Sequence, residues 1–149
     1  MDPIQRFGEY ANAFEDAFKS DDWSVVKPYF TENAVYEIIG GEPLAGRHEG
    51  REAILAYFKR VLDEFDRRFE KRELDLLEGP ELRDGAVWMR WRGTYRIAGA
   101  PDLVIEGEEA ATFEGDRIRR LEDRYPPEGA KIMLAWMGEH GARLRPPGS

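Results

Sequence analysis

The chain has 149 residues, no cysteine, and 30 acidic against 22 basic residues, which gives a net charge of −8. A chain of this length fits one domain with a sizeable core. The acidic balance argues against nucleic acid and anionic membranes as partners, because both attract basic surfaces. Because the chain has no cysteine, disulfides and thiolate sites are excluded. Since no basic segment followed by an apolar run begins the chain, we expect a cytoplasmic protein without a membrane segment.

Cofactor motifs are missing from the sequence. The two histidines, His48 and His140, are far apart and stand in none of the spacings that zinc sites use. Neither a GxGxxG nor a GxxxxGK[ST] loop is present, so nothing predicts nucleotide binding. We therefore expect no metal and no cofactor. His48 is expected in a turn or cap ahead of a helix, and His140 near a helix C-terminus, where the helix dipole favours it.

The first half of the chain is mainly helical. Apolar residues recur at helical spacing over 3–20, where Pro3 suits the first turn, and a short second helix is predicted over 23–30. The β-branched and aromatic run 34–39 predicts a strand that ends at glycines. Apolar residues on one face of 50–65 then predict a third helix.

From about residue 70 the apolar pattern changes to a period of two, which is typical of strands. Turn-like segments separate four such runs: "EKRELDLLE" (70–78), "AVWMRWRGTYRI" (86–97), "DLVIEGEEAATFE" (102–114) and "RIRRLEDRY" (117–125). Short connections predict an antiparallel meander. A last helix is predicted over 127–140, and its Met133, Trp136 and Met137 side either covers the open end of the sheet or forms a dimer contact.

This order of elements predicts an α+β fold, with helices packed on one face of a curved antiparallel sheet. No internal repeat and no linker interrupts it. We predict a single domain over 1–141 and a disordered tail over 142–149.

The charge pattern of the strands indicates which face of the sheet packs against the helices. Arg90, Arg92 and Arg96 would neighbour Glu106 and Glu108 on the next strand, and such cross-strand pairs are typical of a solvated face. The opposite phase of the strands therefore faces inward. It carries Met89, Trp91, Tyr95, Glu109, Phe113, Asp123 and Tyr125.

The register of the last strand leaves one alternative open. Ile118 and Leu121 are three residues apart, so both face inward only if a β-bulge lies between them. With the bulge, Glu109 lies opposite Asp123. With a simple turn and no bulge, Glu108 takes that position instead.

An inward carboxylate is the strongest indication of chemistry. Burial raises its pKa, and a second carboxylate nearby raises one of the two further. Asp123 and Glu109 would then exchange protons near neutral pH, as general acid–base catalysis requires, with Tyr36 as an orienting hydrogen-bond donor. Aromatic and methionine side chains would line the substrate pocket: Phe14, Met89, Trp91 and Tyr125. In the structural alternative, Asp123 only accepts hydrogen bonds from tyrosine hydroxyls or backbone N–H groups.

Two stretches carry a resemblance to a known family, "FTENAVYEIIGGEPLAGRHEGREAILAYF" (30–58) and "FEGDRIRRLEDRYP" (113–126). They resemble the SnoaL-like polyketide cyclases of the nuclear-transport-factor-2-like superfamily, over roughly residues 5–126. The resemblance implies a cone-shaped sheet wrapped around helices, a pocket at its open end, and a homodimer formed through the sheet. It also implies an essential aspartate at Asp123 and a first-strand tyrosine at Tyr36.

The sequence departs from two enzymes of that superfamily. Where limonene epoxide hydrolases carry Arg-x-Asp on the third strand, this chain has Trp-Arg-Gly at 91–93. The helix-1 tyrosine of ketosteroid isomerases corresponds to Phe14. Their first-strand aspartate corresponds to Ile38 or, if the register slips by one residue, to Glu37. Neither specific activity is therefore expected.

Two functions are consistent with this sequence. The first is a cofactor-independent acid/base enzyme, namely an isomerase, cyclase or hydratase/lyase, acting on a small hydrophobic carbonyl, polyketide-like or terpenoid compound. The second is a non-catalytic dimeric module that binds a small ligand or a partner through the same pocket or sheet. A raised pKa of Asp123 favours the first function, and a neutral or stabilising Asp123→Leu substitution favours the second.

Overall fold

The structure is a computed structural model that describes residues 1–41 and 44–147. Within these residues the chain forms three α-helices and six β-strands. The helices are α1 (Pro3–Ser20), α2 (Arg51–Glu64) and α3 (Pro127–His140). The strands are β1 (Phe30–Ile39), β2 (Gly46–Glu49), β3 (Lys71–Arg83), β4 (Ala86–Arg96), β5 (Leu103–Glu114) and β6 (Arg117–Arg124). None of these helices is both long and apolar enough to cross a membrane.

The strands form one curved, open sheet in the order β2-β1-β6-β5-β4-β3. Strands β3 to β6 form the predicted antiparallel meander. Strand β1, however, runs parallel to β6, so the sheet is mixed rather than purely antiparallel. A long connection carrying helices and strands separates β1 from β6, and only such a connection allows parallel pairing. The predicted α+β class, with helices on one face of a curved sheet and a C-terminal helix, is confirmed.

Helix α1 is fixed at both ends by local hydrogen bonds. The Asp2 carboxylate accepts a hydrogen bond from the Ile4 N–H at 3.0 Å, and Pro3 occupies the first turn. At the other end Asp21 adopts a left-handed conformation and its N–H donates to the Ala17 carbonyl at 2.7 Å. The helix buries Phe7, Tyr10, Ala13 and Ala17. This face holds Tyr10 against the inner side of the sheet.

The core has two parts. The larger one joins α1 and α2 to β1 and β6, with Phe30, Ile54 and Leu121 among its fully buried side chains. The smaller one lies under α3, where Trp136 packs on Phe69 and its indole N–H donates to the Pro101 carbonyl at 2.9 Å. A cavity on the inner face of the sheet is lined by side chains from both parts.

Two local predictions differ from the structure. The short second helix predicted over 23–30 is a pair of 3₁₀ turns, Trp23–Val25 and Lys27–Tyr29, because the chain turns directly into β1 at Phe30. His48 lies in β2, which was not predicted, and its ring stacks on Tyr57 at a centroid distance of 4.0 Å. A strand of four residues gives too short a pattern to be recognised from sequence.

The end of the chain makes tertiary contacts. Leu144 is buried in the smaller core, and the Arg145 side chain donates hydrogen bonds to the carbonyls of Arg67 and Phe69. These two contacting residues lie past the predicted domain end at residue 141. The single domain over 1–141 and the disordered tail over 142–149 stay predictions, and residues 148–149 of that tail lie outside the described residues.

Candidate active site

A β-bulge in β6 decides which glutamate meets Asp123. Thr112 pairs with Arg120 while Phe113 pairs with Ile118, so one residue of β6 is left without a partner. This is the bulge that buried positions 118 and 121 together require. As a result Glu109 is the cross-strand partner of Asp123.

The other glutamate, Glu108, lies opposite Arg124 on the outer face. Of the two alternatives left open by the sequence, the structure therefore has Glu109 facing inward, where it lines the central cavity together with Asp123. Adjacent glutamates of one strand thus stand in opposite environments.

Asp123 is held by the neighbouring first strand. The parallel register sets Ile38 beside Asp123, and the Tyr36 hydroxyl donates a hydrogen bond to the Asp123 Oδ2 atom. The Asp123 residue is only 7% exposed, and its Oδ1 atom is buried without a donor among the described residues. One oxygen of this carboxylate is therefore oriented, and the other remains free to accept a proton.

Burial raises the pKa of Asp123, although hydrogen bonds with Glu109 and Tyr36 act in the opposite direction. The pKa of Glu109 lies well above its ordinary value, first because of burial and second because of the Asp123 charge. Both effects favour a proton on this carboxyl pair.

Tyr10 of α1 is a site residue that the sequence prediction missed. It is 4% exposed, no described side chain accepts a hydrogen bond from its hydroxyl, and it lines the cavity. Burial and the nearby charges of Glu109 and Asp123 raise its pKa well above the ordinary value. The sequence analysis did not single out Tyr10, because the helix-1 tyrosine of the ketosteroid isomerases corresponds to Phe14 instead. Both rings in fact contact each other, edge to face, at 6.4 Å.

A cavity of about 770 Å³ opens from this carboxyl pair. The four residues predicted as pocket walls all line it: Phe14, Met89, Trp91 and Tyr125. Trp91 meets Tyr125 edge to face at 5.8 Å. The cavity has an entrance between α1 and the edge of the sheet. Three exposed lining residues surround this entrance: Asn12 of α1, and Leu74 and Leu76 of β3.

A second polar cluster lies on the same cavity. The Arg72 Nε atom donates to Asp66 at 2.9 Å, and its Nη1 atom donates to Glu15 at 2.9 Å. The Tyr95 hydroxyl donates to Asp66 at 3.4 Å. Burial raises the pKa of Asp66 from 3.8 to about 6, against the lowering effect of Arg72. Within the described residues no group of three His, Cys, Asp or Glu side chains is arranged to hold a metal ion.

The departures from related enzymes now have a structural meaning. Arg92 faces outward, 3.7 Å from Asp75, so the Trp-Arg-Gly segment contributes no charged side chain to the cavity. Glu37 is also on the outer face, where Arg120 holds it and lowers its pKa. The one-residue slip that would have turned Glu37 inward does not occur.

The open α+β cone with a lined cavity is the architecture of nuclear-transport-factor-2-like proteins. Residues 11–121 match the SnoaL-like domain, and the chain belongs to this family. The resemblance predicted from the sequence is thereby confirmed.

Individual relatives cover the chain to different extents. Bal32a, from a soil-derived mobile gene cassette, is 27% identical, with a TM-score of 0.67 over 91% of this chain and 99% of that protein. An LEH-like epoxide hydrolase of M. tuberculosis is 16% identical, with a TM-score of 0.64 over 93% of this chain and 97% of that protein, which shows the fold alone.

A curated relative, the 3-isopropylmalate dehydratase large subunit of Sorangium cellulosum (strain So ce56), is 26% identical over 112 residues. These cover 72% of this chain but 24% of that protein. The chain thus spans about a quarter of the length of this relative, and the dehydratase activity belongs to the whole subunit.

Proposed function

We propose that this protein is a cofactor-independent acid/base enzyme, an isomerase, cyclase or hydratase/lyase, acting on a small hydrophobic carbonyl, polyketide-like or terpenoid compound. The observation that carries the proposal is the buried pair of Asp123 and Glu109 in the lining of an aromatic cavity. Environments that keep one carboxyl ionised and the other protonated provide a base and an acid in one site.

In this proposal the two carboxyls have different roles, Asp123 as the base and Glu109 as the acid. Ionised Asp123 takes a proton from the carbon next to a carbonyl at its free Oδ1 atom, while Tyr36 holds Oδ2 and fixes the carboxylate. Protonated Glu109 returns a proton to the substrate, on another carbon or on oxygen. In a cyclase or isomerase the same two steps move a proton between two positions of one molecule.

The developing oxyanion needs a hydrogen-bond donor in dry surroundings. Tyr10 meets this need, because its hydroxyl is unpaired among the described residues and lines the cavity beside the carboxyl pair. Its raised pKa keeps it protonated, and therefore a donor, throughout the physiological range. Phe14, Met89 and Trp91 supply an apolar wall for the rest of the substrate.

Exchange of α-hydrogens tests this function without knowledge of the substrate. The protein is incubated with 1-tetralone in deuterated buffer, and loss of the α-proton signal is followed by NMR. We expect faster exchange than in buffer alone, and a loss of about 100-fold in Asp123→Asn, which is typical for removal of a general base. Glu122→Gln is the matched control, because Glu122 is the outward neighbour on the same strand and pairs with Arg124 at 2.8 Å. Equal exchange by wild type and Asp123→Asn would contradict the proposal.

A non-catalytic dimeric module that binds a small ligand is the alternative. It predicts saturable binding of hydrophobic ketones without any exchange, and an Asp123→Leu variant that is as stable as the wild type or more so. The homodimer through the sheet and the cytoplasmic location belong to both versions of the proposal. Sedimentation equilibrium tests the dimer, and a monomer at micromolar concentration would contradict it.

A further inference from the structure

The cavity has two polar ends. Glu109 is the strand partner of Met89, whereas Arg72 is the partner of Tyr95, and these two positions lie on the same strand β4. Their separation corresponds to about 20 Å of strand at about 3.3 Å per residue. The second polar cluster therefore stands at a distance from the carboxyl pair, on the same cavity.

The second cluster is negatively charged in spite of its arginine. Arg72 is shared between two carboxylates, Asp66 and Glu15, and its guanidinium also lies over the Phe18 ring at 4.5 Å. With a pKa of about 6, Asp66 is ionised at neutral pH. One cation facing two anions leaves this end of the cavity with an excess negative charge, and the guanidinium is already neutralised.

Acidic residues also outnumber basic ones over the whole lining of the cavity. Its charged residues are five acids and one base: Glu15, Asp66, Asp75, Glu109, Asp123 and Arg72. Asp75 is paired from the outer face by Arg92, whose Nη2 atom lies 3.7 Å from its carboxylate. An acidic ligand would therefore meet like charge at both ends, without a free cation among the described lining residues.

Glu15 is the member of the cluster that can reach a ligand. Its side chain is 37% exposed, whereas the Asp66 side chain is 10% exposed and already accepts from both Arg72 and Tyr95. Each Glu15 oxygen accepts one hydrogen bond from Arg72, at 3.3 and 2.9 Å, so each keeps a lone pair for another donor. A ligand group placed here is bound only if it donates.

At the other end, the free Oδ1 atom of Asp123 is an independent sign that a ligand completes the cavity. It belongs to a residue that is only 7% exposed, and no described group donates to it. A molecule that presents a reacting C–H group to Asp123 would extend along Met89 and Trp91 toward Glu15.

We propose that Glu15 is a specificity-determining residue, selecting substrates that carry a hydrogen-bond-donating group, a hydroxyl or an ammonium, at the end opposite the carbonyl, and rejecting carboxylates. This proposal deepens the proposed function, since it names the chemical class that the same cavity accepts. The substrate is thus an elongated hydrophobic carbonyl compound without an acid group.

Three matched probes test the selection: 2-acetylnaphthalene carrying a hydroxymethyl, an aminomethyl or a carboxyl group at position 6. Binding to the wild type is measured by calorimetry at pH 7.5 and 150 mM salt, where long-range attraction by the net charge is screened. We expect at least one of the two donor probes to bind about tenfold tighter than the carboxylate, since like charges in a poorly solvated site repel strongly. The stronger of the two donor probes identifies the hydroxyl or the ammonium as the recognised group.

The Glu15→Gln variant should bring the affinities for the donor and carboxylate probes to within about threefold of each other. The matched control is Asp16→Asn, the exposed next residue of α1, which removes the same charge from the protein outside the cavity and should leave the preference unchanged. Carboxylate binding equal to or tighter than that of both donor probes would overturn the inference and would make Arg72 an anion anchor instead. Absence of binding by all three probes, or an unchanged preference in Glu15→Gln, would overturn it too.

These outcomes are separate from those of the exchange experiment. Probe preference is a binding measurement on the wild type and on Glu15→Gln, so it stands even if 1-tetralone exchange fails. If exchange depends on Asp123 while the preference is absent, only the selection by Glu15 is lost.

Discussion

Carboxylates on the two faces of the sheet have pKa values shifted in opposite directions. On the outer face Arg120 holds Glu37 and lowers its pKa, and Arg90 lies 2.9 Å from Glu78. On the inner face burial and mutual repulsion raise the pKa of Glu109, and burial raises that of Asp123. The difference shows that residue type does not decide the chemistry. A solvent-exposed carboxylate opposite an arginine has a lowered pKa and forms an ion pair. A carboxylate opposite a second carboxylate in an apolar cavity has a raised pKa and binds a proton more readily.

The largest effect is expected when a carboxylate is placed on the inner face without a donor. Leu121 is 1% exposed, so Leu121→Asp should lower the free energy of unfolding by about 4 kcal/mol or more, because an unpaired buried charge is left. Urea denaturation measures it. The control is Thr112→Asp on the exposed outer face opposite Arg120, which should change stability by less than about 1 kcal/mol. A small effect in Leu121→Asp would mean that the inner face accepts carboxylates generally.

A second prediction concerns the dependence of stability on pH. The folded-state pKa of Asp66, about 6, lies above its ordinary 3.8, so the folded protein takes up this proton first as the pH falls. The contribution of Asp66 should therefore favour folding by about 2 kcal/mol more at pH 4 than at pH 7, since a full pKa unit is worth about 1.4 kcal/mol and the unfolded chain also begins to bind the proton near pH 4.

Comparison of Asp66→Asn with the wild type isolates this contribution, because other titrating groups are common to both proteins. The free energy of unfolding of the wild type minus that of Asp66→Asn, measured by urea denaturation, should rise by about 2 kcal/mol as the pH falls from 7 to 4. A difference that is constant over this range would contradict a raised pKa of Asp66.

The third prediction compares two adjacent glutamates. Glu109→Gln should slow 1-tetralone exchange by at least about tenfold, since the neutral acid is lost, whereas Glu108→Gln should leave it within about twofold. In the wild type, activity should rise with pH as Asp123 ionises and fall as Glu109 ionises. Glu109→Gln should lose the falling limb, and pH–rate profiles of both variants measure this. Equal profiles would show that the inner position carries no acid function.

The smallest effect is expected on the outer face. Arg120→Ala removes the partner of Glu37 in a partly exposed pair, so the free energy of unfolding should fall by less than about 1 kcal/mol, and less still at high salt. Thermal denaturation at two salt concentrations checks it. A loss comparable to that of Leu121→Asp would mean that the outer ion pairs contribute as much as the core.

Much of the fold was predictable because its signals are local. Alternation along β4 and β5, with arginines and glutamates on one phase, was enough to assign the inner and outer faces, since side chains of a strand point to opposite sides by geometry. The same reasoning turned Asp123 inward. It also placed Met89, Trp91 and Tyr125 in the pocket wall, whereas Tyr36 was identified from the first strand and from the family resemblance.

The tertiary structure alone decided which groups share a cavity. The unpaired residue in β6 selected Glu109 over Glu108, and the parallel pairing of β1 with β6 gave Asp123 its Tyr36 donor. Tyr10 and the contact of Glu15 with Arg72 join segments far apart in the chain. The physical reason is that periodicity fixes the side on which a residue lies, whereas a register, a bulge or a contact between distant elements depends on how the whole sheet packs.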